Sequence, residues 1–120
     1  MATTYQGIDK IKKNNLMVLK GKFERCSMEK SESIDSYFSR LLALRSDMEL
    51  NGHSIEDEVI VEKVLHTLPS QFNYLVAVLQ ETKDISTMSV KELHGSLLLH
   101  EERVNEQMNE SEMETPKKAL

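Results

Sequence analysis

The chain has 120 residues, of which 39% are hydrophobic and 29% charged, with four glycines, two prolines and no tryptophan. A chain of this length fits one domain with a single modest core, and so few turn-forming residues argue against a β-sandwich. No apolar run approaches the ~20 residues that span a bilayer, so we expect no membrane contact. The single cysteine, Cys26, excludes an internal disulfide and fits a reducing, cytoplasmic location.

The net charge of −5 is unevenly distributed along the chain. Residues 1–25 hold six basic and two acidic side chains, whereas the rest holds nine basic and eighteen acidic ones. Such polarity predicts partners of different charge at the two ends. The six basic residues are Lys10, Lys12, Lys13, Lys20, Lys22 and Arg25. They are either a solvated helix face or RNA contacts, which would bind phosphates in a salt-sensitive and sequence-independent way.

Two helices are predicted in the first half of the chain. Residues 8–27 form the first, because apolar side chains recur there mostly at three- and four-residue steps. These are Ile8, Ile11, Leu16, Leu19, Phe23 and Cys26. The second runs from Ile34 to Leu50, with Ser33 as its N-cap and Asn51-Gly52 as the turn that ends it. Its apolar residues cover more than one narrow stripe, so we expect it to be central.

Three further helices are predicted in the second half. Ser54 opens the third, which Pro69 stops, and its apolar set is Ile55, Val59, Val61, Val64, Leu65 and Leu68. Ser70 caps a fourth helix to about residue 81, and Ser89 with Glu92 forms a capping box for a fifth. The predicted fold is all-α, a small five-helix bundle. It comprises a basic N-terminal helix (1–28), a helical domain (29–108) and a disordered acidic tail (109–120).

Motifs for catalysis and for metal binding are absent from the sequence. It contains neither G-x-x-x-x-G-K-[ST] nor G-x-G-x-x-G, so no phosphate-binding loop is predicted. The four histidines do not recur at four-residue spacing, and one cysteine cannot supply a zinc knuckle. We therefore expect no enzyme, no catalytic residue, no metal, no cofactor and no small-molecule substrate.

Several loose motifs follow one another in a characteristic order. They are Tyr5-x-Gly7, Glu32-Ser33-Ile34-x-x-Tyr37-Phe38-x-Arg40-Leu41, Leu50-Asn51-Gly52-His53-Ser54-Ile55-x-Asp57, Lys63-Val64-Leu65-x-x-Leu68-Pro69 and Glu92-Leu93-x-Gly95-Ser96-Leu97. Together, over roughly residues 5–105, they resemble the Gag protein of copia-type LTR retrotransposons, most closely plant members. The resemblance implies the capsid region of Gag and a fold like the C-terminal domain of retroviral capsids.

One motif resembles the major homology region of retroviral capsids. Its acidic residue, aromatic pair and arginine correspond to Glu32, Tyr37, Phe38 and Arg40. In that motif the Glu and the Arg lie in a buried hydrogen-bond network, and a guanidinium suits this because its planar fork requires carboxylate and carbonyl partners. We therefore expect Glu32 and Arg40 to bond to each other or to the same backbone turn, with Tyr37 beside them. Met28-Glu29 stands where the motif has Gln-Gly, so that half of the network is expected to be missing.

The resemblance implies a structural protein that associates with itself, most simply as a dimer, and whose parent protein builds virus-like particles that package retrotransposon RNA. The first helix is the candidate self-association surface, through Ile8, Ile11, Leu16, Leu19 and Phe23. A domesticated adaptor that holds a host protein or peptide in a groove between helices is the alternative, and weak RNA binding through the basic helix is a third reading. Because the zinc-knuckle region and most of an N-terminal capsid lobe are missing, we expect a fragment or a shortened derivative.

Overall fold

A computed structural model describes the backbone of residues 2–119 and the side chains of residues 7–106. In that part of the chain there are five α-helices and no strand, which confirms the predicted all-α class. They are α1 (Ala2–Arg25), α2 (Ile34–Leu50), α3 (Asp57–Thr67), α4 (Asn73–Thr82) and α5 (Val90–Ala119), with 3₁₀ turns at Ser70–Phe72 and Ile85–Thr87. The acidic tail predicted for 109–120 lies outside the residues whose side chains are described, so its disorder stays a prediction.

The core is built around α2, as its broad apolar surface predicts. α1 packs on α2, while α5 packs on both α2 and α3. The largest fully buried side chains come from α2, α3, α5 and the first 3₁₀ turn; they are Ile34, Tyr37, Phe38, Leu41, Ile60, Val61, Val64, Phe72, Leu93 and Leu97. Leu16, Leu19 and Phe23 of α1 are partly buried against this core. The helices thus enclose one continuous apolar interior, in which α1 takes part only through its second half.

Both ends of α2 lie where the sequence predicts them. The Ser33 hydroxyl accepts a hydrogen bond from the Ser36 amide at 3.1 Å, which satisfies one of the free N–H groups of the first turn. Asn51 is the C-cap, and Gly52 follows with a φ of 90°. A positive φ is unfavourable for residues with a Cβ atom, so glycine is suited to end the helix here.

The predicted start of α3 is wrong by two residues. The helix begins at Asp57, and Glu56 in the N-cap position makes no side-chain capping bond. The Asp57 carboxylate instead accepts bonds from Arg45 at 2.8 Å and from the Val90 amide at 3.1 Å. The Asp57 carboxylate is therefore bound by residues far away in the sequence and does not take part in a cap with Ser54.

α4 starts later than predicted, whereas α5 starts directly after its predicted cap, Ser89. Ser70 lies inside a 3₁₀ turn that places Phe72 in the core, and α4 begins only at Asn73. At α5 the Ser89 hydroxyl accepts from the Glu92 amide at 3.1 Å, but the Glu92 carboxylate binds Lys83 at 3.0 Å. The Ser89 half of the capping box therefore forms, and the Glu92 side chain pairs with Lys83 at the start of the preceding loop.

The buried face of α3 differs from the predicted one by a single residue. Val59, expected in the core, is 44% exposed, whereas Ile60 is fully buried. Ile60, Val61, Val64 and Leu65 form the stripe that meets the core, and one turn beyond Val59 the chain carries Glu62 and Lys63. The wider helical pattern thus places Val59 on the polar face.

Among the described residues, no helix is long and apolar enough to cross a membrane.

Replacing Ile60 by Ala should lower the free energy of unfolding by about 2–5 kcal/mol, because the lost side chain leaves a cavity in a packed core. Replacing its neighbour Val59 by Ala should change it by less than about 0.5 kcal/mol, since that side chain is half exposed. Chemical denaturation of both variants measures the difference. Equal losses would show that the face of α3 is wrongly assigned.

Candidate functional site

Glu32 and Arg40 form a two-pronged ion pair at the entrance to α2. Arg40 Nη2 lies 2.6 Å from Glu32 Oε1, and Arg40 Nε lies 2.7 Å from Glu32 Oε2. Arg40 Nη2 also donates to the carbonyl of Ser27 at 2.8 Å, and Nη1 points to the Cys26 sulfur at 3.7 Å. A single guanidinium therefore joins α2 to two points of the segment that links α1 to α2. This is the fork geometry at which lysine is a poor substitute for arginine.

Glu32 accepts two further hydrogen bonds from its own turn. The Glu29 amide donates to Oε1 at 3.1 Å, and the Ser36 hydroxyl donates to Oε2 at 3.1 Å. The bonds from Arg40 are the largest cause that lowers the pKa of Glu32 from 4.5 to about 2, and they outweigh the opposing effect of burial. The same pairing raises the pKa of Arg40 above its usual range. Both groups thus stay charged at neutral pH.

The depth of the pair differs from the expected buried network. The Glu32 side chain is only 8% exposed, but that of Arg40 is 45% exposed. The guanidinium lies over the linking segment at the protein surface, so water still reaches part of it. Its contribution to stability is accordingly smaller than the 3–5 kcal/mol typical of a fully buried pair.

Tyr37 lies beneath Arg40 and extends the network to α3. The guanidinium carbon is 5.4 Å from the centre of the Tyr37 ring, within the range of a cation–π contact. The phenol hydroxyl is hydrogen-bonded to the Thr67 hydroxyl, and burial raises the pKa of Tyr37 to about 12. The Thr67 carbonyl accepts from the Met28 amide at 3.3 Å. The last turn of α3 is thereby joined to the same linking segment that Arg40 holds.

Met28 shows what replaces the missing Gln-Gly pair. Its side chain is buried in the core, with 6% exposure, and so fixes the linking segment through apolar packing. The next residue, Glu29, still supplies a backbone donor to Glu32. The segment is therefore anchored without a glutamine side chain.

Phe38, the other aromatic residue of the motif, connects α2 to α5. Its ring stacks on His94, with centroids 4.4 Å apart and planes 9° from parallel. His94 Nε2 lies 2.8 Å from Asp35, and the Glu101 carboxylate accepts from the Ile34 amide at 2.9 Å. A carboxylate at a helix N-terminus is favourable because it meets free N–H groups and the positive end of the dipole. Glu101 of α5 thus caps the N-terminus of α2, although the two lie far apart in the sequence.

Thr67, His94 and Glu101 are the members of this network that sequence reasoning missed. None of them lies within 20 positions of the residue that it contacts on α2. No local pattern distinguishes Glu101 from Glu102, so only the packing of α5 on α2 identifies it. The network holds four segments together, and the groups described in it serve to position helices.

The six basic residues predicted as nucleic-acid contacts do not share one surface. Lys22 and Arg25 join Arg40 on the wall of a groove of about 480 Å³ between α1 and α2, whose floor includes Ala43 and Leu44. Lys10, Lys13 and Lys20 follow one another on a different face at three- and seven-residue steps, all exposed. The remaining one, Lys12, lies on neither face. Contact with a nucleic acid therefore stays a prediction, without a single continuous strip behind it.

The residues predicted for self-association fall into two groups. Leu16, Leu19 and Phe23 are partly buried against the chain's own core. Ile8 and Ile11 are 49% and 60% exposed, on a stretch of α1 in which every side chain from residue 7 to 15 is exposed. The apolar stripe of α1 is therefore covered at one end and open at the other. Among the described residues, no group of three or more His, Cys, Asp or Glu side chains could hold a metal ion.

Replacing Arg40 by Ala should lower the free energy of unfolding by about 1–3 kcal/mol, because Glu32 is left almost buried without its main partner. Replacing it by Lys should recover only part of this loss, since an ammonium cannot bond to both carboxylate oxygens and the Ser27 carbonyl in the same geometry. Thermal or chemical denaturation measures both. The matched control is Arg103→Ala on α5, an exposed position with no ion pair among the described residues. A loss at Arg40 no larger than at Arg103 would contradict a stabilising role.

The Glu32 contribution should depend on pH. Its pKa is lower in the folded chain, about 2, than the usual 4.5, so its stabilising effect is present above about pH 4.5 and is lost as the pH falls towards 2. We expect Glu32→Gln to cost about 1–2 kcal/mol at neutral pH, after allowing for the exposure of Arg40. The difference between the two proteins should shrink towards zero near pH 2. A difference that is constant across this range would contradict the charge pairing.

Comparison with known proteins gives one result. Searches of curated proteins and of solved structures return no significant match. A family model described as the gag-polypeptide of LTR copia-type matches residues 1–110. That span includes all five helix starts, the Glu32–Arg40 pair and the exposed stretch of α1. This chain therefore belongs to the copia-type LTR gag polypeptides.

Proposed function

We propose that the chain is a structural, capsid-like Gag domain that associates with further copies of itself. In the parent protein this association builds virus-like particles that package retrotransposon RNA. Membership of the gag-polypeptide family supports the structural role, and the surface of α1 supports self-association. The contacts among the described side chains are apolar packing and ion pairs that hold the helices in place, which suits a structural role.

The observation that carries this proposal is the open half of α1. From residue 7 to residue 15 every side chain is exposed, and two of them are isoleucines. Val18, one turn further, is 57% exposed. An isolated helix of this length is marginally stable in water, and exposed apolar side chains in a row mark an interaction surface. A partner that covers this half would stabilise it.

A second copy of the chain is the partner that best fits this surface. The stripe that begins at Ile8 continues through Leu16 and Leu19 into the chain's own core. A second α1, related by a two-fold axis, would place the same isoleucines opposite one another and extend both cores. Each half-exposed isoleucine would gain about 1 kcal/mol on burial. Because this gain in free energy only slightly exceeds the entropic cost of association, we expect a weak dimer. A weak dimer suits reversible assembly.

The adaptor reading has its own supporting observation. The groove between α1 and α2 combines an apolar floor with Lys22, Arg25 and Arg40 on its walls, opposed by Asp47 alone. Such a surface would suit an acidic peptide with an apolar side chain. Size-exclusion chromatography with light scattering separates the two functions. A mass that stays at one chain over the whole concentration series would contradict self-association and favour the groove.

Replacing Ile11 by Glu should weaken self-association by about tenfold or more, because a charge then lies in the apolar contact, whereas the helix itself is kept by a good helix former. Leu50→Glu is the matched control, since Leu50 is 77% exposed at the far end of α2 and outside the proposed surface. Light scattering over a concentration series gives both dissociation constants. An unchanged dimer in the Ile11 variant, or an equal loss in the Leu50 variant, would contradict this interface.

A further inference from the structure

We propose that a basic face of α1 docks on an acidic face of α5 from a second copy, as a head-to-tail contact. This inference rests on the self-association proposed above and adds a second, separate interface to it. It also assigns Lys10, Lys13 and Lys20, which the sequence suggested as RNA contacts, to a protein–protein contact.

The basic face of α1 consists of Lys10, Lys13, Met17 and Lys20. These residues are three, four and three positions apart, so they form one ridge along the helix. All four are exposed, and Met17, in the middle, is 74% exposed. Within the part of the chain whose side chains are described, the three lysines have no ion-pair partner. The ridge therefore presents positive charge around one uncovered apolar side chain.

The acidic face of α5 is a similar ridge that carries two charges of the opposite sign. Gly95, Leu99, Glu102 and Glu106 are four, three and four positions apart, and all are exposed. Leu99 is 52% exposed, and neither Glu102 nor Glu106 has an ion-pair partner among the described residues. A Cβ atom placed on Gly95 would meet nothing within 4 Å, so the surface is open there and another helix can approach its backbone.

The two ridges match in spacing, charge and apolar content. Each extends over about 15 Å, three turns of helix, and each has one large apolar residue: Met17 lies between lysines, and Leu99 lies between Gly95 and the glutamates. Residues of the opposite sign flank both, Asp9 and Glu24 on the lysine ridge and Lys91 and Arg103 on the acidic one. Reversal of both the main charge and the flanking charge is what two complementary surfaces require. Within one chain the faces remain free, because α1 packs on α2 while α5 packs on α2 and α3.

Joining two different surfaces of the same chain has a consequence for assembly. A contact of this kind does not close by two-fold symmetry, so it propagates to rings or open arrays. Combined with a two-fold contact through Ile8 and Ile11, it would connect dimers to one another. Since it is built on exposed charges, it should weaken steeply as salt screens them, whereas the isoleucine contact should not.

The test uses two charge-reversed chains in sedimentation velocity at about 50 mM and about 500 mM salt. One chain carries Lys10→Glu, Lys13→Glu and Lys20→Glu, and the other carries Glu102→Lys and Glu106→Lys. Each alone should lose association beyond the dimer at low salt by about tenfold or more, because both of its faces then carry the same sign. An equimolar mixture of the two should recover it, since the reversed α1 of one chain meets the reversed α5 of the other, and their two unreversed faces meet as in the wild type.

Two control chains carry the same changes in net charge on other surfaces. They are Lys22→Glu, Arg25→Glu, Lys30→Glu, and Glu62→Lys, Glu81→Lys, all at exposed positions. Assembly of the test chains equal to the controls, with the Ile11→Glu variant still impaired, would overturn this inference and leave the proposed function standing. A wild-type chain that is monomeric throughout would overturn both. Loss of RNA retention in the lysine variant without loss of assembly would assign the ridge to nucleic acid and overturn the docking.

Discussion

The guanidinium of Arg40 holds the segment between α1 and α2, and the arrangement of the helices depends on this segment. Residues 26–33 form no helix, yet they determine how α1 enters the bundle. Arg40 binds the carboxylate of Glu32 and the carbonyl of Ser27, one at each end of the segment. Its five donors lie in one plane, so a single side chain can satisfy both groups at once. Without it, an almost buried carboxylate and an irregular turn would be left without their shared partner.

Carboxylates that cap or bridge distant helices recur through the structure. Glu101 accepts from the first amide of α2, and Asp57 accepts both from Arg45 and from the first amide of α5. The bond from the Val90 amide is the largest cause that lowers the pKa of Asp57. Each carboxylate satisfies a backbone N–H group that its own helix cannot pair, and each joins two elements in the same contact. Helix starts and tertiary packing are thus stabilised by the same bonds.

The chemistry of α1 differs from that of the other helices. Its second half belongs to the core, whereas its first half presents isoleucines on one side and lysines on another. No intramolecular contact explains either group in the described part of the chain. The self-association proposed for this chain requires surfaces that its own fold leaves uncovered, and two such surfaces on one helix would allow each copy to meet more than one neighbour.

The sequence by itself determined the all-α class, the central position of α2 and both ends of that helix, because these follow from local rules of periodicity and capping. It also determined the spacing that brings Glu32 and Arg40 together, since eight positions lead from the turn before the helix to its second turn. Only the tertiary structure decided that Thr67, His94 and Glu101 complete the network, because those contacts join residues far apart in the chain. It likewise decided that Ile60 and not Val59 enters the core, and that Arg40 remains half exposed. Burial depends on which helices cover a position, and local pattern does not contain that information.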